Sequence, residues 1–230
     1  MEKAWPLTSI RSQGVVGNVF RMRCGSLYEL KPRFVGRLEP VVESLARRRF
    51  SPTAVTLAAL PVSASAAAAL IAGRSHPILW VTVPVFAAAL IAINAIDGHL
   101  ARVSGDTSHA GAALNELVDR LSDVFLVGSA YFLVSPGLAS SALILVVIVE
   151  VVALIGLTST GDRSLVGVMG KPDRALLISA GAVAAFFVGK VAFNFLFVVL
   201  VVGLISTLVQ RVGHVLKQAR SLDLETTRDH

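Results

Sequence analysis

The stretch NAIDGHLARVSGDTSHAGAALNELVDRLSD, residues 94–123, places a run of polar side chains between two of the most apolar regions of the chain. Asn94 and Asp97 are three residues apart, so on a helix they share one face. Asn115, Asp119 and Asp123 are each four apart, which stacks them in a single stripe of a second helix. A helical hairpin closing at residues 104–107 would bring the two faces together and create an oxygen-rich cavity just inside a membrane boundary.

The surrounding sequence supports that setting. Of 230 residues, 54% are hydrophobic and 16% are charged, and the mean hydropathy is +0.73. Soluble domains carry roughly 25% charged residues. The chain therefore reads as an all-α membrane protein, with about 20 residues needed per span. Six spans are predicted, over about residues 51–72, 77–103, 108–134, 138–158, 175–189 and 191–210. Ser51 followed by Pro52 is a start signal for the first of them. The Ala-rich character of that span permits close helix packing.

Ahead of the spans, Leu30, Phe34, Leu38, Val41, Val42 and Leu45 recur at spacings of three and four, with charged residues between them. This pattern predicts an amphipathic interfacial helix over residues 27–50, with Pro32 and Pro40 as points of kinking. Residues 1–26 show no stable period and no apolar core of a signal peptide, and are read as a flexible cytoplasmic arm. The expected organisation is thus an arm (1–26), a juxtamembrane helix (27–50), a six-helix domain (51–210) and a cytoplasmic tail (211–230).

Charge sets the orientation. Arg47, Arg48, Arg49, Arg102, Arg163, Lys171, Arg174, Arg211, Lys217 and Arg220 fall on the side of the termini, against Arg74 and Lys190 on the other. The positive-inside rule then puts both termini and the quoted segment on the cytoplasmic face of an inner membrane. The net charge is +6 and ten of 21 Lys and Arg residues precede residue 50. Without a reading platform of aromatic residues, this suits an anionic bilayer surface and not a nucleic acid. The single cysteine, Cys24, excludes an internal disulfide and a cysteine zinc cluster.

Carboxylate and amide oxygens without Cys or suitably spaced His favour a hard cation, Mg²⁺, Mn²⁺ or Ca²⁺. Gly98, Ala101 and Gly111 leave space for a phosphorylated ligand to approach the helices. His76, His99 and His109 lack ligand spacing and receive no role.

On these residues the chain resembles the CDP-alcohol phosphotransferases. The family pattern is Asp, two residues, Asp-Gly, two residues, Ala-Arg, eight residues, Gly, three residues, Asp, three residues, Asp. It falls here on Asn94, Asp97, Gly98, Ala101, Arg102, Gly111, Asn115 and Asp119, with six of the eight positions matching. The resemblance implies transfer of a phosphatidyl group from CDP-diacylglycerol to an alcohol acceptor in the membrane plane, with release of CMP. It implies that the first three acidic positions hold two divalent ions, Mg²⁺ or Mn²⁺, and that the last, Asp119, is the general base. Asp97, Asn94, Asn115 and Asp119 are then expected around the metal, and Asp123, one turn deeper in the same stripe, is expected as a further ligand. Gly98, Ala101, Arg102, Gly111 and Thr56 are expected along the nucleotide, Thr56 because Pro52, Thr53 and Thr56 resemble the family's nucleotide-facing segment. Basic residues after the fourth span bind acceptor phosphate in some members, which points to Arg163, Lys171 and Arg174 in GDRSLVGVMGKPDR, residues 161–174. A homodimer is a further expectation from the resemblance.

Asn94 and Asn115 stand where the family has Asp, removing two negative charges. Asp123, Glu116 and Glu150, which interrupts LILVVIVEVVALIG at residues 143–156, are candidates to compensate. A purely structural alternative remains beside each role. Asp97 and Asp119 could pair with Arg102 and Arg120, and Asn94 and Asn115 could bond between helices. Asp123, Glu116 and Glu150 could each pair with Arg120. The basic loop could follow from the positive-inside rule alone. For the whole chain, the alternatives are a non-catalytic scaffold that binds nucleotide or lipid, and a small transporter using Asp97, Asp119 and Glu150 as an ion relay.

Overall fold

A computed structural model describes residues 31–105, 108–161 and 166–228. The arm at 1–26, with Cys24, and Arg163 lie outside the described residues. The described residues form helices and connecting turns with no strand: α1 (Lys31–Arg47), α2 (Pro52–Ala72), α3 (Val83–Ser104), α4 (His109–Gly128), α5 (Pro136–Thr160), α6 (Lys171–Val188) and α7 (Val191–Arg228). Short 3₁₀ turns at Pro77–Thr82 and Ser129–Phe132 lead into α3 and out of α4.

The starts and stops follow local chemistry. Pro52 opens α2 behind an extended Ser51, where a missing N–H costs no helical bond. Ser108 caps α4 by accepting from the Gly111 N–H at 3.0 Å. Gly105 ends α3 at φ 69° and Gly161 ends α5 at φ 72°, a left-handed conformation that glycine adopts without a Cβ penalty. Pro40 sits inside α1 without ending it.

Four helical segments are long and apolar enough to cross a membrane: Pro52–Ala72, Pro77–Ser104, Pro136–Thr160 and Val191–Leu224. The chain is a multi-pass membrane protein. α4 and α6 are helices but fall outside that group, because α4 carries Glu116, Asp119, Arg120 and Asp123, and α6 opens with Lys171, Asp173 and Arg174. The last helix also departs from the sequence reading. Expected to stop near Gln210, α7 continues to Arg228, so residues 211–228 of the segment read as a separate tail extend the same helix.

The predicted hairpin is altered in one important respect. α2 packs along both α3 and α4, which make little direct contact with each other. Apolar lipid gives helices no hydrophobic drive to associate, so close van der Waals packing of small residues carries the contact. Ala59, Ser63, Ala66 and Ala67 supply it on the buried face of α2. Ala59 of α2, Leu90 of α3 and Val118 of α4 form a small core beside the polar stripe. At the opposite end of α2, Trp80 donates from Nε1 to the Leu70 carbonyl at 3.0 Å and meets Phe193 edge-on at 5.5 Å. α5, α6 and α7 pack as the other half of the bundle.

Candidate functional site

Asp97 is 4% exposed. Its Oδ2 accepts from the Thr56 hydroxyl at 3.0 Å, across from α2, and its Oδ1 accepts from the Gly98 N–H at 2.6 Å. A buried carboxylate is tolerated only when its oxygens are satisfied in this way. Thr56, placed beside the nucleotide by resemblance, is therefore seated against the motif acid itself.

Asp119 faces the same space from α4. Lys171 Nζ lies 2.5 Å from Asp119 Oδ1. In the amide orientation that satisfies both neighbours, Asn94 donates to Asp119 Oδ1 at 3.2 Å and accepts from Lys171 Nζ at 2.9 Å. Both Asp119 and Lys171 lie within electrostatic reach of Asp97. Asn94 and Asp97 on α3, Asp119 on α4 and Lys171 on α6 thus converge. Asn115 lies one turn before Asp119, and its Oδ1 is buried without a hydrogen-bond partner.

Lys171 reaches the site because of how the start of α6 is held. The Met169 N–H donates to Thr207 Oγ1 at 2.9 Å, and Arg211 Nε donates to the Val166 carbonyl at 3.1 Å. Gly167 lies between them at φ 140°, with its Cα turned into Thr207. The Asp173 carboxylate then accepts from the Gly170 N–H at 3.0 Å. α7 and this turn together fix the residue that meets Asp119.

A second polar cluster lies deeper. Arg174 is 1% exposed, and its Nη2 lies 2.5 Å from Asp123 Oδ2 and 3.2 Å from Glu150 Oε1. Arg120 Nη2 lies 3.2 Å from Glu150 Oε2, and Arg120 also pairs with Glu116. Arg211 Nη1 lies 3.7 Å from Glu150 Oε1 and donates to the Val149 carbonyl at 3.0 Å. Carboxylates and guanidiniums so placed answer each other's burial.

This geometry revises four expectations. Asp123, read as a metal ligand, is engaged by Arg174 and not by Arg120 as its structural alternative had it. Glu150, read as a compensating carboxylate, is surrounded by Arg120, Arg174 and Arg211. Arg174, read as a surface clamp for acceptor phosphate, is enclosed in the bundle by its two acids. Lys171, assigned to the same clamp, reaches instead to the motif carboxylate.

The nucleotide-side residues divide. A Cβ built on Gly98 would meet nothing nearer than Arg102 Nη1 at 4.0 Å, so the helix surface there is open. Ala101 is partly buried and Arg102 is exposed. At Gly111 a Cβ would press on Ser108 Oγ at 2.9 Å, which ties this glycine to the α4 cap. Sequence reasoning missed Thr207 and counted Arg211 as a loop charge, although it is 3% exposed. The available signal was the spacing of Thr207 and Arg211, four residues apart and so on one face of a helix if the last span continues past Gln210.

The donor set suits a hard divalent cation, since it consists of carboxylate and amide oxygens. Asn115 Oδ1, buried without a partner, is the feature that fits such a ligand. Among the described residues no group of three or more His, Cys, Asp and Glu side chains could hold a metal ion. Asp97 and Asp119, with the amides of Asn94 and Asn115, would be the residues to hold such an ion, and Lys171 already pairs with one of the two carboxylates.

These features define a helical membrane protein with a polar site built from α3, α4 and the start of α6. The chain is 34% identical to inner membrane protein YnbA of Escherichia coli over 163 residues, 69% of this chain and 80% of that protein. It is 30% identical to the phosphatidylinositol phosphate synthase of Mycolicibacterium smegmatis over 191 residues, 78% of this chain and 83% of the synthase. The Streptomyces avermitilis synthase of the same name is 28% identical over 211 residues, 86% of this chain and 85% of the synthase. No family model matches the chain. With the motif and these relatives together, the chain belongs to the CDP-alcohol phosphotransferase family.

Proposed function

We propose that the protein is a phosphatidyltransferase of phospholipid synthesis that moves a phosphatidyl group from CDP-diacylglycerol to an alcohol, in the cytoplasmic leaflet of an inner membrane. The observation that carries this reading is the convergence of Asp97 and Asp119 from separate helices. All six helices from α2 to α7 span the bilayer in this proposal, and α1 lies in the interface. α4 and α6 tolerate their charges because those charges face inward and pair. CMP leaves into water at this end while the acyl chains stay in lipid.

In the reaction, the acceptor hydroxyl oxygen bonds to the phosphatidyl phosphorus. The bond from that phosphorus to the oxygen bridging to CMP breaks, and the hydroxyl proton passes to Asp119. Asn94 and Lys171 hold the Asp119 carboxylate in position from two sides. Thr56 and the Gly98 N–H fix Asp97. The open helix surface at Gly98 accommodates the nucleotide, with Arg102 beside it. Asp97, Asp119, Asn94 and Asn115 are the residues to hold Mg²⁺ or Mn²⁺. Such an ion would neutralise the pyrophosphate charge.

The experiment is CMP release from CDP-diacylglycerol by the full chain in vesicles with Mn²⁺, offered glycerol 3-phosphate, an inositol phosphate and an amino alcohol in turn. Release that depends on one acceptor is the expected result. A second reading, a non-catalytic relative that binds nucleotide or lipid, is favoured by one observation: Asn occupies two motif positions, and a lysine faces the remaining base. No CMP release with any acceptor selects it.

A further inference from the structure

We propose that Lys171 supplies a fixed cation to the motif site, so that the site takes one divalent ion where the family pattern implies two. This rests on the reading of Asp97 and Asp119 as metal ligands given above.

Lys171 Nζ approaches two oxygens suited to a hard cation, Asp119 Oδ1 at 2.5 Å and the Asn94 amide oxygen at 2.9 Å. It does so from an unfavourable place. Lys171 is the first residue of α6, where the helix dipole is positive and disfavours an ammonium. Its position is stabilised by Asp119, and Asp119 gains a permanent positive neighbour. Lys171 and Asp119 are largely shielded, with side chains 23% and 22% exposed, so water screens the pair only in part.

The charges of the site agree. With Asn at two positions, Asp97 and Asp119 contribute two negative charges and Lys171 one positive. One divalent ion brings the set near neutrality, whereas two would leave a large uncompensated positive charge in a partly desolvated space. The other nearby acids do not relieve that imbalance, because Asp123 and Glu150 face Arg174, Arg120 and Arg211. The buried Asn115 Oδ1 is the amide oxygen left over for a bound ion. The two asparagines and the lysine therefore act in the same direction: the site has fewer acids than the family pattern, and Lys171 adds a positive charge beside one of those that remain.

The test is the stoichiometry of Mn²⁺ binding to the purified full chain in detergent, read from the electron paramagnetic resonance of free Mn²⁺. One ion is expected for the wild type and two for Asn94→Asp/Lys171→Met. Two ions in the wild type, or one in both proteins, overturns the proposal. A wild type that binds none overturns the proposal together with the metal part of the functional reading, whereas acceptor-dependent CMP release would leave the transferase reading standing. Should the double variant misfold, Lys171→Gln decides. Mn²⁺ binding tighter by about ten-fold, as expected on removing a like charge, supports the proposal, and unchanged or weaker binding overturns it. A lysine acting only on acceptor phosphate would alter the acceptor KM and leave Mn²⁺ binding as it was.

Discussion

Arg174 Nη2 stands 2.5 Å from Asp123 Oδ2, joining the start of α6 to α4 inside the bundle. The two residues are 51 apart in sequence. Their pairing, with Glu150 on the same guanidinium, makes the deeper cluster a structural joint between the halves of the protein. The motif site lies above it, so the joint also sets the height and rotation of the helices that bear Asp119 and Lys171.

Removing one partner from that joint should be costly. Arg174→Met leaves Asp123 and Glu150 without their shared guanidinium, and an unpaired buried charge costs about 3–5 kcal/mol. Thermal unfolding in detergent should show the loss, and Arg174→Met/Asp123→Leu should recover part of it. An Arg174→Met protein as stable as the wild type would mean that the cluster carries no structural load.

Asp119→Asn keeps the shape of the side chain and removes the base. General-base catalysis contributes about 10²–10⁴-fold, so CMP release should fall by that factor while the protein remains in the membrane fraction. Full activity in this variant would reject the assignment of Asp119.

Thr56→Val removes the hydroxyl that donates to Asp97 Oδ2 at 3.0 Å. A buried acceptor left without its donor costs about 1–3 kcal/mol. The expected result is a loss of stability within that range together with reduced CMP release, because Asp97 is no longer fixed. A variant with unchanged stability and activity would show that Asp97 is held by the Gly98 N–H alone.

Gly167→Ala addresses the turn that delivers Lys171. Its φ of 140° is rarely adopted by residues with a Cβ, and an added methyl would collide with Thr207. Overpacking of this kind costs about 1–3 kcal/mol. Unfolding temperature and CMP release should both drop, and Gly167→Ala/Thr207→Ser should restore some of each by clearing the Thr207 methyl. If the single variant matches the wild type in both measurements, the turn does not position the site.

Much of this architecture was legible locally. Apolar runs of the right length, Ser51 and Pro52 at a helix start, and the spacing of Asn94 with Asp97 and of Asn115 with Asp119 depend only on helical periodicity and on hydropathy. Each can be read within one segment, as can the Glu116–Arg120 pair at four residues' separation. The motif residues were also identifiable, because their spacing is short and both faces are local properties.

Which cation meets which acid was not local information. Asp119 draws Lys171 from 52 residues away, and Thr56 reaches Asp97 across 41. Arg211 was read as a cytoplasmic loop charge because the last span was expected to stop near Gln210, and α7 continues past it. Sequence by itself determined the helices, their apolar lengths and the polar face that each presents. Tertiary structure decided the partners, because packing α2 along both α3 and α4 sets their separation and rotation. A turn of one helix about its axis moves a charge from one neighbour to another without changing any local pattern.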